Sequence, residues 1–278
     1  MFEAVAFAGG GNRCYWQGGF WQAAAPALGL APKLVVGVSA GAWAACYSLL
    51  GLGERVHEMV AQGCAGGRRN FEWREWRAGR SPWPVGTMYR ALIEEIVTTD
   101  AFARLRDGPE VLIAVARAPR RLPLALAVPL GIATYQIEKK LAQPVHPRGG
   151  RALGFRPDHV RVQDLSGPDE LLAALMASAS VPPFMPVGRV GGSAALDGGL
   201  VDNVPVEPLA TIEAAGGRTL VLLTRVYKDV PAVAGRTYVQ PSAKIVLSQF
   251  DITNPDGIRA AFELGLRDGA AFAASMGK

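Results

Sequence analysis

The stretch KLVVGVSAGAWAACYSLL, residues 33–50, changes its periodicity at a serine. Leu34, Val35, Val36 and Val38 form the short apolar run of a fully buried strand, and from Ala40 onward small and aromatic residues continue without a breaker, as in a buried helix. Between them GVSAG, residues 37–41, matches G-x-S-x-G, a strand-to-helix turn that lifts a serine hydroxyl clear of a sheet edge. The rival reading is a small-residue turn packed in a core. A helix starting at Ser39 aims its free N–H groups and positive dipole end at the hydroxyl, which suits acyl transfer. Residues 34–53 are also uncharged and long enough for a membrane span. The glycines, with no flanking aromatic belt, favour a strand, turn and helix.

Outward from this stretch the pattern alternates. EAVAFA, residues 3–8, reads as a strand, Tyr15 to Leu28 as a helix, KLVVGV as a strand, and Ala40 to Leu50 as a helix. A helix around Met88 to Val97 precedes the strand VLIAVA, 111–116. LLAALMASAS, 171–180, is a helix stopped by Pro182 and Pro183. VGRVGGSAALDGGLVDNVPV, 187–206, reads as short strands and turns, and TLVLLTRVY, 219–227, as a buried strand. This alternation predicts an α/β fold, a parallel-rich central sheet sandwiched between helices. Without repeats or a Gly/Pro/Ser linker, residues 1–278 are expected to form a single domain, with motifs over about 4–208 and a C-terminal extension over about 209–278 packed on it. RRNFEWREWRAGRSPWPVG, 68–86, breaks the rhythm and reads as an insertion or lid. LPLALAVPLGIA, 122–133, contains Pro123 and Pro129 and is too short to span a membrane.

Half of the 278 residues are apolar and 19% are charged, which excludes a disordered chain. The net charge of +5 favours anionic partners without choosing among phospholipid, nucleic acid and acidic substrate. Cys14, Cys46 and Cys64 are an odd number with no C-x-x-C spacing, which argues for free thiols in a reducing compartment over a disulfide framework or zinc site. The start MFEAVAFAGGG carries Glu3 and no basic region, so a first strand is expected and not a cleaved signal. A cytoplasmic or peripheral membrane location follows as the expectation, with export by a route lacking a cleaved signal still open.

GGGNRC, residues 9–14, lies between a strand and a helix, where bare backbone N–H groups can converge on one anionic oxygen. A plain turn is the simpler alternative. A dinucleotide loop is disfavoured because Cys14 fills the third glycine's place and no acidic residue ends a second strand near 35. A Walker-type phosphate loop would need a lysine. A triad in the order Ser, Asp, His needs a late histidine, yet His57, His146 and His159 all precede residue 160 and are expected as exposed loop residues. A buried carboxylate can serve instead, because burial raises its pKa toward that of a useful base. Asp197 in LDGGL, 196–200, offers one, with a D-G hairpin turn as the alternative.

Together GGGNR at 9, GVSAG at 37, ASASVPPFMPV at 177 and LDGGLVDNVPV at 196 resemble the patatin-like phospholipases. The resemblance implies a three-layer α/β/α fold and a serine/aspartate dyad without histidine. It places Ser39 as nucleophile, Asp197 as base, Gly9, Gly10 and Gly11 with the N–H of Ala40 as the oxyanion hole, and Asn203 and Pro205 as structural positions. Arg13 is left to hold the loop or to face an anionic head group. Cys14 departs from the family loop, which usually has glycine there, and reads as a small buried thiol. The implied substrate is a fatty-acyl ester of a phospholipid or related lipid, and the chemistry asks for no metal or cofactor. Acyltransferase or thioesterase activity on the same site, a histidine-dependent hydrolase, and a non-catalytic membrane-associated regulatory module are the alternatives. Trp73, Trp76 and Trp83, interleaved with Arg74, Arg77 and Arg80, are candidates for peripheral membrane contact, with partly buried tryptophans as the plainer reading. No nucleic-acid partner is expected.

Overall fold

A computed structural model describes residues 1–66, 69–141 and 144–277. Among them eight strands form a mixed, mostly parallel sheet: β1 (Ala4–Phe7), β2 (Leu34–Val38), β3 (Glu110–Arg117), β4 (Arg156–Arg161), β5 (Gly188–Val190), β6 (Ser193–Asp197), β7 (Thr219–Leu222) and β8 (Arg236–Val239). Strands β3, β2, β1, β7 and β8 lie side by side in that order, all parallel. β4 runs antiparallel along Leu112–Arg117 of β3, while β6 pairs antiparallel with Val115 and Ala116. Because β4 already occupies one edge of β3 at those residues, β6 must lie on the edge that β2 shares. It begins its pairing where β2 stops: Val38 is opposite Ala114, and Asp197 is opposite Val115. Two strands thus meet end to end, one carrying Ser39 and the other Asp197.

The helices are α1 (Tyr15–Leu28), α2 (Ala40–Leu49), α3 (Gly53–Ala65), α4 (Trp73–Arg77), α5 (Pro84–Ile96), α6 (Thr99–Arg106), α7 (Leu124–Leu141), α8 (Gly149–Ala152), α9 (Pro168–Ser178), α10 (Ala210–Ala214) and α11 (Pro255–Met276). Side chains alternate across the strands and feed two cores. Val5, Phe7, Val35, Ile113 and Leu222 pack under α1, α2, α3, α5, α6, α9 and α11, whereas Ala4, Ala6, Val36 and Val221 face a thinner layer that includes Leu209. Beside it, Ala127 and Val128 of α7 cover Ala116 and Leu196. This is the three-layer α/β/α arrangement expected from the sequence.

Residues past 208 contribute to the sheet and to its helical cover. β7 and β8 extend the sheet, and α11 lies against α1 so closely that a Cβ on Gly265 would stand 2.1 Å from the Trp16 carbonyl oxygen. The Trp16 indole donates to Asp268 at 2.7 Å across that contact. The uncharged window 34–53 resolves into β2, a turn and α2, and among the described residues no helix is long and apolar enough to cross a membrane. The run with Pro123 and Pro129 becomes the first half of α7, with Pro129 inside the helix. The irregular segment 68–86 carries α4 and the start of α5; its first residue, Arg68, lies outside the described residues.

Candidate active site

The parallel strands β2, β1 and β7 end at one edge, the usual ligand edge of such sheets. There β2 delivers Ser39, β1 delivers the glycine loop, and β7 delivers Thr224 and Arg225. Ser39 has φ 56° and ψ −136°, the one positive φ outside glycine among the described residues. Such a conformation costs about 1–3 kcal/mol and persists only where its surroundings enforce it. Gly37 and Gly41 permit the turn: a Cβ on Gly37 would lie 2.4 Å from Ala42 Cα, and one on Gly41 2.4 Å from the Ala8 carbonyl oxygen.

Ser178, at the end of α9, pins the turn. Its hydroxyl accepts the Ser39 N–H at 2.8 Å and donates to the Ala114 carbonyl of β3 at 2.6 Å. Two residues on, the Ser180 carbonyl accepts the Asp197 N–H at 3.0 Å. Thus the A-S-A-S stretch holds both strand ends, a positioning role the sequence reading did not assign to these serines.

Asp197 is buried, accepts the Gly199 N–H at 2.7 Å, and lines the same cavity as Ser39, whose side chain is near enough to influence its titration. Burial raises its pKa from 3.8 to about 6, and the neighbouring Ser39 side chain and the Gly199 N–H pull the other way. A carboxyl group poised there accepts a proton far more readily than an exposed aspartate does.

The glycine loop is clamped by Asn203, whose side chain donates to the Gly9 carbonyl at 2.8 Å while its own carbonyl accepts the Gly9 N–H at 2.9 Å. Thr224 Oγ1 adds a second donor to the Gly9 carbonyl at 2.7 Å. This corrects one expectation: the Gly9 N–H is spent inside the protein and cannot serve an oxyanion. The N–H groups of Gly10, Gly11 and Ala40 donate to no protein acceptor among the described residues. Asn203 matches its expected structural role.

Two cavities of about 500 and 520 Å³ of empty space meet at Ser39, sharing Gly11, Gln249 and Phe250. The first is walled by Trp43, Tyr47, Tyr89 and Met185; the second contains Asp197, Asn203, Tyr135 and Gln136. Asn12 stitches the far wall in place, its N–H donating to the Gln249 carbonyl at 3.0 Å and its amide to the Asp251 carbonyl at 2.6 Å.

The fold, the strand-end turn and the glycine loop agree with a comparison against family models, in which the patatin-like phospholipase model matches residues 5–210 of the 278. The chain belongs to the patatin-like phospholipases. No curated protein matches the chain significantly.

As a patatin-like protein it brings Ser39, Asp197, Gly10, Gly11 and Ala40 together and leaves the histidines outside both cavities. The expectation of exposed loop histidines is corrected: all three are partly buried. His57 stacks on Phe262 at 3.8 Å, His146 bridges Asp202 and Tyr238 at 2.9 Å each, and His159 lies on β4 with its pKa lowered chiefly by burial. Cys14 is buried, with its thiol pKa raised by desolvation. Among the described residues no group of three or more His, Cys, Asp and Glu is placed to hold a metal ion.

The tryptophans divide. Trp73 and Trp76 are 58% and 57% exposed, but Trp83 is half-buried, edge-on to Phe71 at 5.0 Å and to Phe184 at 4.7 Å. The rings form a continuous row: Trp76 to Trp73 at 5.4 Å, Trp73 to Phe71 at 4.8 Å, then Trp83, Phe184 and, stacked at 4.8 Å, Phe250 in the cavity wall. No local periodicity in the sequence signals this row, because its members come from three distant segments.

Proposed function

We propose that the protein is a serine acyl hydrolase that cleaves fatty-acyl esters of lipids through Ser39 and Asp197. The meeting of Ser39 with a buried, weakly acidic carboxyl group in one cavity, where β2 and β6 come end to end, carries this reading. In the reaction, Ser39 Oγ attacks the ester carbonyl carbon as its proton passes to Asp197. The carbonyl oxygen becomes an oxyanion facing the free N–H groups of Gly10, Gly11 and Ala40. Collapse breaks the bond to the alcohol oxygen, which takes the proton from Asp197 and leaves. Water then attacks the acyl-serine, Asp197 takes its proton, and the second collapse returns that proton to Ser39 Oγ and releases the fatty acid.

The aromatic cavity supports an acyl chain beside the nucleophile, since its walls offer apolar contact and few hydrogen-bonding groups. Exposed Trp73 and Trp76 support peripheral contact with a bilayer, where indoles sit at the interface. From there the row of rings leads to the cavity, an apolar path for a chain leaving the membrane.

The deciding experiment is hydrolysis of a lipid panel by native protein and by Ser39→Ala, with labelling by a fluorophosphonate. Release of fatty acid and labelling, both lost in Ser39→Ala, support the reading. Hydrolysis that survives the substitution overturns it. Offering alcohol acceptors beside water separates hydrolase from acyltransferase.

A further inference from the structure

Next to the reaction cavity, cationic side chains converge without an acidic partner among the described residues. A smaller cavity of about 240 Å³ of empty space is lined by Lys139 of α7 and by Arg225, just past β7, and shares Tyr135 and Asn203 with the cavity that holds Ser39 and Asp197. Arg13, from the glycine loop, lies close enough to interact electrostatically with Arg225, Tyr135 and Tyr227. None of the three is in an ion pair among the described residues.

Their hydrogen bonding is incomplete. Lys139 donates to Gln249 Oε1 at 3.1 Å and one Arg225 nitrogen to the Tyr135 hydroxyl at 3.3 Å, while Arg13 Nε reaches the Gly10 carbonyl at 3.3 Å. Arg13 Nη2 and Arg225 Nε are buried with no partner. Buried donors are nearly always satisfied, so orphans on two converging guanidinium groups point to an acceptor from outside the chain. The charge balance agrees. Burial, then Arg225 and Arg13, lowers the Lys139 pKa to about 8, and no carboxylate opposes them. Asp202, which interacts with Tyr227 of the same cavity, is itself held by His146 and the Val204 N–H.

We propose that Arg13, Lys139 and Arg225 form a binding site for a phosphate group beside the reaction cavity. Guanidinium forks and an ammonium are the usual partners of a phosphate's several acceptor oxygens. The site deepens the reading of the protein as a lipid acyl hydrolase and rests on it for its principal source of phosphate: in a glycerophospholipid the phosphate is tethered a few bonds from the ester carbonyls, so one molecule can span both cavities. Free inorganic phosphate is the other source of the same chemistry.

The test compares hydrolysis of a phosphatidyl lipid with that of a diacylglycerol bearing the same chains, in matched uncharged micelles, for native protein, Lys139→Met, Arg225→Gln and Lys139→Arg. The expected result is a fall of about tenfold or more in the kcat/KM ratio of phosphatidyl to uncharged lipid in the two charge-removing variants, with recovery in Lys139→Arg. In a second arm, inorganic phosphate is titrated while thermal unfolding is followed. A phosphate-dependent rise in midpoint that is lost in both charge-removing variants, with the ratio unmoved, assigns the site to free phosphate. An unmoved ratio together with no phosphate-dependent shift in the native protein overturns the proposal. Should neither lipid be hydrolysed, the acyl hydrolase reading fails, and the unfolding arm still decides whether a phosphate site exists.

Discussion

The Ser178 hydroxyl accepts the backbone N–H of Ser39 at 2.8 Å, tying the turn that carries the proposed nucleophile to the end of α9 and, through Ala114, to β3. Ser178 is fully buried, so no water stands ready to replace it. Ser178→Ala should lower kcat about tenfold or more with a smaller effect on KM, and destabilise the fold by about 1–3 kcal/mol, the cost of leaving buried groups unsatisfied. Steady-state kinetics with denaturant unfolding checks both. Unchanged kcat would show that the strained turn holds itself.

As the proposed base, Asp197 should set the acid limb of activity. With its pKa raised to about 6, kcat/KM should fall about tenfold per pH unit below that value and level off above it. A pH–rate profile on a soluble ester reads this. A limb near pH 4 would mean that the carboxyl is not the titrating base.

The same shift has a stability cost with a definite sign. A carboxyl whose pKa is higher folded than unfolded favours the folded state most below about pH 4, and that contribution is lost as pH rises through about 6. Asp197→Asn should therefore be inactive yet gain about 2–3 kcal/mol over the native protein between pH 4 and pH 7. Melting midpoints across that range test it. A constant difference would contradict the burial argument.

Asn203→Ala removes the amide that holds the Gly9 carbonyl at 2.8 Å and leaves Thr224 as the remaining side-chain donor. A looser glycine loop should aim its N–H groups less well, lowering kcat by about ten- to a hundredfold. The affinity of a transition-state analogue should fall in parallel, which inhibition measurements would reveal.

For Trp73 and Trp76, replacement of both by Ala should reduce turnover on anionic vesicles relative to turnover of a monomeric ester by about tenfold. A preserved ratio, with unchanged vesicle partitioning, would rule out the exposed pair as the membrane contact.

The first half of the fold is legible in the sequence because its signals are local. α1 runs from Tyr15 to Leu28 as expected, and β2, the turn and α2 fall within a residue of the reading from residues 33–50. Asp197 is recognisable through its motif, though its meeting with Ser39 depends on β6 taking over the β3 edge where β2 stops, a register no local pattern encodes. α7 is hidden because Pro123 and Pro129 look like breakers, yet Pro123 precedes the helix and Pro129 is accommodated within it. Lys139, Arg225 and Arg13 are far apart in the chain, so their convergence is visible only once α7 and β7 are placed. His146 looks like a surface residue in a proline-rich loop; its partners, Asp202 and Tyr238, are equally remote.

The family match ends at residue 210, whereas Gln249 and Phe250 line both cavities, Gln249 being moored to Asn12. Part of the wall beside Ser39 is therefore supplied by polypeptide beyond the stretch that carries Ser39 and Asp197. Substitutions at Phe250 would alter which molecules are admitted while leaving Ser39 and Asp197 themselves unchanged, giving evolution or an engineer a dial for selectivity.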